Sequence, residues 1–583
     1  MNRLHHGAGA VALALLVAAP CGSAAARQVD PEDAAPGIVN VEDVPPELPA
    51  AVANDVVTFF NRPETIRIWG NAHIPPGTSI TGDVGLLGGS LRVSGQIRGR
   101  VVVINGDARL EAGSLVDGDL VVVGGTVTDL GGSAVTGLVE AHPQTLRYRR
   151  ERDQIVYTPL RSDPSLTAGR DLGFGRLDFT LRSFGPYNRV EGLPIAAGPT
   201  LELGRSNPTR LEALAVYRST NGLRFVPREM GYRVRLEQAF GGYRAIRAGL
   251  LLYSEIAPIE SWGLSTREAS LATFVLHRDY RDYYERQGQG FFVAIGRPSS
   301  PTTFDIEYRN EKHHRVGPRS PWTLFGNNRP WRSQPSIDAG DFRSIAATFR
   351  YDASNATGDV STGWSIQVNL ERGLGGSLVN AARPDTLPAL EAAEGPFSEE
   401  VAFTSAFIDL RRYARLGPYS RMALRAVAAG SVDGDALPAQ RQLTLGGEGT
   451  LPGYQPFSFD CGARSLTIEL DGELWHPYYG CDRLLLFQFE YETRLPIASG
   501  AARQLGWPLD MVDSPAGVIF LNAGRAWTEP DALNGRRRGQ SDFSADFGVG
   551  IRIGPLGLYW ARPLSGGSGA AGVNFFVRLS SRL

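Results

Sequence analysis

Between about Asp171 and Leu583 apolar and charged residues alternate with a period of two, and no other feature restricts the fold of this chain as strongly. Leu177, Phe179 and Leu181 interleave with Asp178, Thr180 and Arg182; Phe304, Ile306 and Tyr308 interleave with Asp305, Glu307 and Arg309. Trp364 to Leu370 alternates without a break, and Phe487, Phe489 and Tyr491 alternate with Gln488, Glu490 and Glu492. Successive strand residues point to opposite faces, so each run has one apolar and one strongly polar side. A soluble sandwich hides its apolar faces against each other, whereas a membrane barrel turns them to lipid and lines its lumen with the polar side. Aromatics near many strand ends, a signal for export and the length of the stretch favour the barrel, which at about 26 residues per strand and turn would hold about sixteen strands, with roughly sixteen to eighteen candidate strands in the sequence.

The start of the sequence bears on the same choice. Residues 1–26 have a charged start at Arg3, an apolar run from Ala8 to Ala19 and a small-residue end, the pattern of a cleaved secretory signal peptide. Cys21 offers a lipoprotein alternative, against which stands Pro20 where a small residue is expected. Beyond residue 26 no run approaches the ~20 apolar residues of a spanning helix. A mature chain in a membrane must then cross it as a closed barrel, because only helices and barrels satisfy the backbone in hydrocarbon.

Residues 27–64 are rich in Pro, Asp, Glu and Ala without a sustained period and read as a flexible leader. A repeat follows over 65–145. Its segments align on Gly82, Gly99, Gly118 and Gly137, and in a second register on Gly89, Gly106 and Gly125, with β-branched runs such as Val101–Ile104 and Leu120–Val123 between them. Turn-forming glycines at fixed offsets of 17 to 19 residues are what a solenoid of stacked strands requires, each rung burying its apolar side against its neighbours. This segment resembles the bactofilin-like parallel β-helix; a Gly-rich sandwich is the alternative. The charged stretch Arg147 to Asp153 falls in 146–170, read as a linker, with contact to anionic lipid headgroups as the second reading.

The formal net charge of -2 makes no electrostatic case for nucleic acid. Cys461 and Cys481 either bridge, in an oxidising compartment, or remain two buried thiols. Nucleophile elbow, phosphate loop and Cys-x-x-Cys are absent, so neither enzymatic activity nor a cofactor or metal is expected. His313 and His314 are adjacent and cannot both face one site from a strand; a rim or loop position is the simpler reading. Glu490 and Glu492 share one side of a strand, a spacing open to acid–base work but ordinary for a lumen lining.

The stretch LGGEGTLPGYQPF, Leu445 to Phe457, lies ahead of the last few strands. In place and wording it resembles the inward-folded loop of the BamA/TamA family of outer-membrane assembly and translocation barrels, the bacterial surface antigen family. Gly446-Gly447 precede Leu451-Pro452-Gly453-Tyr454, where the family has a hydrophobic residue, Arg, Gly and an aromatic. FEYETRLPI from Phe489, VIFLNAGRAW from Val518, the strand and hairpin from Ala545 to Leu564, the closing NFFVRLSSRL and PYNRVEGL near Pro186 resemble other pieces of such barrels in order. The resemblance implies an all-β chain, a parallel β-helix followed by an outer-membrane barrel over 171–583. It implies Glu490, Glu492, Arg494, Asn522 and Arg525 as inner-wall candidates around the lumen loop. It further implies assembly, insertion or translocation of client outer-membrane proteins, with contacts to outer-membrane lipids and periplasmic accessory proteins. The β-helix would stand in the periplasm of a Gram-negative cell, in place of POTRA modules, and could mediate self-association. The seam would lie between strands near Leu177–Phe184 and Phe575–Leu579. Where the family's loop arginine meets a wall aspartate, this sequence has Pro452 and Asn522. Losing both members of a buried ion pair is less costly than losing one. The runner-up is a structural or solute-transport barrel with the β-helix as scaffold.

Overall fold

The computed structural model describes residues 48–583 except 130, 143, 152–153, 159–164, 205–206, 222–228, 242–245, 297–300, 318, 354–361, 380–397, 418–419, 460, 462–467, 471–472, 476–477, 496–514, 529–541, 554–555, 566–569, 571 and 580–581. The signal-peptide expectation and the lipoprotein alternative lie outside the described residues.

The repeat folds into a three-sided parallel β-helix, its faces sheets of five, four and four strands. Stacked rungs place Val84, Val101, Leu120 and Val139 in one column. Glycine is demanded where neighbouring turns touch. A Cβ at Gly106 would stand 1.8 Å from the carbonyl oxygen of Gly89, and one at Gly125 2.2 Å from that of Gly106. Aspartates tie rung to rung, Asp107 beside Gly106 accepting from the Thr126 amide at 2.8 Å and, at the other column of turns, Asp83 from that of Arg100 at 2.9 Å and Asp119 from that of Leu138 at 2.9 Å.

Two segments near the β-helix depart from expectation. The leader contains a helix, Ala50–Asn61. Its Ala53, Val56, Phe59 and Phe60 form one fully buried face against Val102, Ile104, Val121 and Val123 on the outside of the five-stranded sheet. That face spans only three turns beside a Pro-rich stretch, too short to stand out as a period. The expected linker contains the hairpin Tyr148–Glu151 with Gln154–Tyr157, whose Tyr148 and Ile155 join the same cluster. Asn105 pins the returning chain, its side chain exchanging two 2.8 Å hydrogen bonds with the Leu146 backbone.

The C-terminal region is one antiparallel sheet of 18 strands running in chain order. That number is the upper end of the expected sixteen to eighteen, and two of the strands are not marked by alternation. Ser398–Glu400 is a three-residue strand that shares its neighbour Gly363–Val379 with Thr404–Arg415. Ser165–Asp171, the front strand, pairs along Gly175–Ser183, so the sheet begins ahead of residue 171. Its residues SLTAGRD lack the bulky alternation that marks the other strands. As a result the expected seam strand near Leu177 has neighbours on both edges, the front strand and Pro194–Leu203. Among the described residues no ladder joins the last wall strand, Asn574–Arg578, to either strand at the front.

The wall has the two faces that alternation demands. Leu250, Phe291, Trp364, Phe487 and Phe575 are exposed on the outside. The inside is lined with paired charges: Arg309 and Arg441 on Glu371, Arg411 and Arg425 on Asp409, Arg286 on Glu255. Charges withdrawn from water persist only with such partners. His313, expected at a rim, is fully buried at the end of its strand, 2.9 Å from Glu311 and stacked on Phe342.

Candidate functional site

The loop between the strands Ser420–Ser431 and Arg483–Arg494 folds into the lumen. Gly446 and Gly447 take φ of +99° and +90°, the left-handed region that lets the chain reverse tightly. The Gly447 amide then donates to the Leu451 and Tyr454 carbonyls, and Thr450 accepts from the Gly446 amide at 3.0 Å through its hydroxyl. The resulting knot buries Leu445, Leu451 and Tyr454 completely against Trp262, Phe407, Val427 and Leu484.

The tip is held by the wall. The Gly453 amide donates to Asp546 at 2.7 Å, and Asn574 of the last wall strand donates to the Pro452 carbonyl at 2.9 Å. The Tyr454 hydroxyl meets the Ser565 carbonyl at 2.8 Å and that of Ala545 at 3.3 Å. Gln488 donates to the Thr450 carbonyl at 2.9 Å. The Cys461–Cys481 disulfide closes the C-terminal stem, and Leu443 and Cys481 bridge backbone to backbone.

Asn522 is fully buried on the inner wall and donates to Asp546 at 2.5 Å. It also accepts from Arg582 at 2.7 Å. The Arg582 guanidinium stands 4.0 Å over the Phe520 ring and 3.4 Å from Glu490. Charge therefore does occupy the wall beside the loop, supplied by Asp546 and Arg582 rather than by positions 522 and 452. Glu492 pairs with Arg421 at 2.7 Å and with Arg552. Arg494 keeps the inward phase of Gln488, Glu490 and Glu492, at the far end of that strand. Arg525 does not belong to the inner wall. It shares the outward phase of Ile519 and Leu521 and lies 4.5 Å over the Trp527 ring.

Two further residues escaped sequence reasoning. Asp546 carried a signal, since it has the phase of Gly548 and Gly550 in the strand Ser544–Ile553. Arg582 carried only its basic charge, four positions after the end of the last wall strand, Asn574–Arg578.

Other loops complete the filling. The helix Thr266–Leu276, capped by Ser265, sends Glu268 to Arg578 of the last wall strand at 2.7 Å, and Glu268 also accepts from the Leu579 amide at 2.8 Å. Asp282 gathers Arg189, Arg332 and Tyr479 from three loops, and although burial opposes its charge, the Arg332 and Arg189 guanidiniums hold its carboxyl below the usual range. Glu260 accepts from the Thr444 amide at 2.9 Å and from Trp262 at 3.0 Å; burial raises its carboxyl to about 7 in spite of these donors.

A model of the Omp85 superfamily domain matches residues 231–581, more than half of the chain. The chain belongs to the Omp85 superfamily. The matched stretch contains the lumen loop and every strand of the sheet except the first four. Among solved structures, this Omp85 chain is similar to BamA from Haemophilus ducreyi lacking POTRA domains 1–3, at 13% identity and a TM-score of 0.39 over 71% of this chain and 75% of that one. It is also similar to CdiB from Acinetobacter baumannii, at 8% identity and a TM-score of 0.28 over 71% of this chain and 65% of that one. For CdiB from Escherichia coli the identity is 11% and the TM-score 0.32, over 75% of this chain and 66% of that one. No curated protein sequence matches the chain.

Proposed function

We propose that this Omp85 chain assists the insertion or translocation of client polypeptides at the outer membrane, its β-helix standing in the periplasm. The observation that carries the reading is a lumen filled from inside while the last wall strand is held by lumen elements. Asn574 binds the loop at Pro452, and Arg578 binds the loop helix at Glu268. A strand edge without a ladder partner can template an incoming strand. A wall strand fastened through its inner face leaves such an edge available without collapsing the barrel. Membership of the superfamily supports the same class of activity. No nucleotide or metal enters this reading.

Single-channel conductance in planar bilayers tests it, comparing the full chain with a deletion of Gly446–Phe457. Low, flickering conductance that turns large and steady on deletion is the expected result. A wide, steady pore in the intact chain, indifferent to the deletion, would instead establish a solute-transport barrel.

A further inference from the structure

Arg582 and Leu583, which come after the last wall strand, lie inside the barrel. Arg582 is almost fully withdrawn from water, its side chain 1% exposed, and Leu583 is buried against Ala353, just past one wall strand, and against Tyr413 and Ala423 of two others. Arg582 joins Asn522, Glu490 and Phe520, while Asn522 in turn holds the Asp546 carboxylate whose second oxygen receives the loop amide of Gly453. One guanidinium thus stands between Glu490 and the Asn522–Asp546 pair on which the loop tip rests.

We infer that Arg582 is a positioning residue for the lumen loop, so that the tail after the last wall strand and the loop tip are seated together and released together. The physical argument is one of charge. Two carboxylates, Glu490 and Asp546, face this part of the lumen out of water, and a buried carboxylate without a cation is strongly disfavoured. Withdrawing Arg582 removes the closer of the two donors to Asn522, leaving Gln488 at 3.3 Å, and leaves Glu490 without its ion-pair partner. Asp546 then loses the fixed amide that aims its other oxygen at Gly453. The tail is continuous with the strand that presents Asn574 and Arg578, so displacement of that strand pulls on the loop by this second route. The inference deepens the proposed function and rests on it for the consequence in client handling; the coupling itself is a separate claim.

The test uses the full chain with a reporter, Thr450→Cys, at a buried loop position, read as the rate of labelling by a small thiol reagent. Arg582→Gln should label at least ~10-fold faster than the Arg582 parent, the scale of a lost charged hydrogen bond. An unchanged rate in a folded barrel overturns the inference. If Arg582→Gln yields no folded barrel, Arg582→Lys decides, since an ammonium lacks the fork to meet Asn522 and Glu490 together and should also speed labelling. The parent's rate there is equally fatal. Coupling is reciprocal. Deleting Gly446–Phe457 should therefore speed labelling of Leu583→Cys, and a tail that stays protected refutes the shared seating. Conductance reports whether the loop seals the lumen, and labelling reports what seats it, so failure of the proposed function and failure of this coupling give different results.

Discussion

Gly453→Ala places the most demanding load on the loop. An added Cβ would stand 2.7 Å from the Asp546 Cβ, 2.8 Å from the Pro563 nitrogen and 3.0 Å from the Arg562 carbonyl carbon. Two of these atoms are backbone of the wall strand Leu556–Pro563, which cannot retreat without breaking its ladder with Ser544–Ile553. The tip must move instead. Overpacking of this kind costs about 1–3 kcal/mol. A tip displaced by an ångström also stretches the 2.7 Å bond from the Gly453 amide to Asp546 beyond hydrogen-bond range. A bond to a charged group contributes about 1.5–3 kcal/mol. Together the two terms shift the ratio of seated to lifted loop by roughly 10²–10⁴-fold, at tenfold per 1.4 kcal/mol. Planar-bilayer conductance and thiol labelling at position 450 read that ratio, and Gly572→Ala, where a Cβ meets nothing within 4 Å, is the control. A Gly453→Ala barrel that stays closed and protected like the control would refute the claim that the loop tip is seated on Asp546.

The disulfide joins cysteines 20 residues apart, and loop-closure entropy sets its worth at about 3 kcal/mol. Cys461→Ser with Cys481→Ser should lower the denaturant midpoint of the barrel by a corresponding amount, and an unchanged midpoint would show that lumen packing alone holds the stem. Glu260, with its carboxyl raised to about 7 from an ordinary value of 4.5, binds a proton in the folded state that the unfolded chain releases. Its contribution is full below pH 4.5, declines as pH rises through 7, and amounts to about 3 kcal/mol across that window. Thermal unfolding should therefore show a decline between pH 5 and 8 that Glu260→Gln flattens; a profile identical in both proteins contradicts the assignment. In the β-helix, Gly106→Ala forces a Cβ into the Gly89 carbonyl at 1.8 Å and should unfold that domain while the barrel keeps its heat-resistant mobility on gels. A β-helix that melts as before would mean the rungs slide apart at little cost.

Local periods made much of this architecture legible. Period-two alternation marked the wall strands because lipid and lumen sort side chains residue by residue, and the Gly and Asp offsets marked the β-helix because each rung repeats the same close contact. The segments that alternation left obscure were the front strand, whose residues are small, and the helix Ala50–Asn61, whose buried face is three turns long. The glycines of the lumen loop were equally readable, since a tight reversal needs their left-handed φ.

Which charge meets which lay beyond the sequence. Arginines and carboxylates occupy inward positions all along the wall, and nothing local distinguishes Asp546 from Glu492 as the partner of the loop. Curvature of the sheet brings positions 453, 490, 522, 546 and 582 to one point in the lumen. Strand phase then sends Arg525 outward over Trp527, while Arg582 sits inward over Phe520. The sequence by itself determined the wall, the solenoid and a loop able to fold back. Only the tertiary structure decided the pairing inside, because a buried charge is stable where its partner stands, and the partner stands where strands distant in sequence come together.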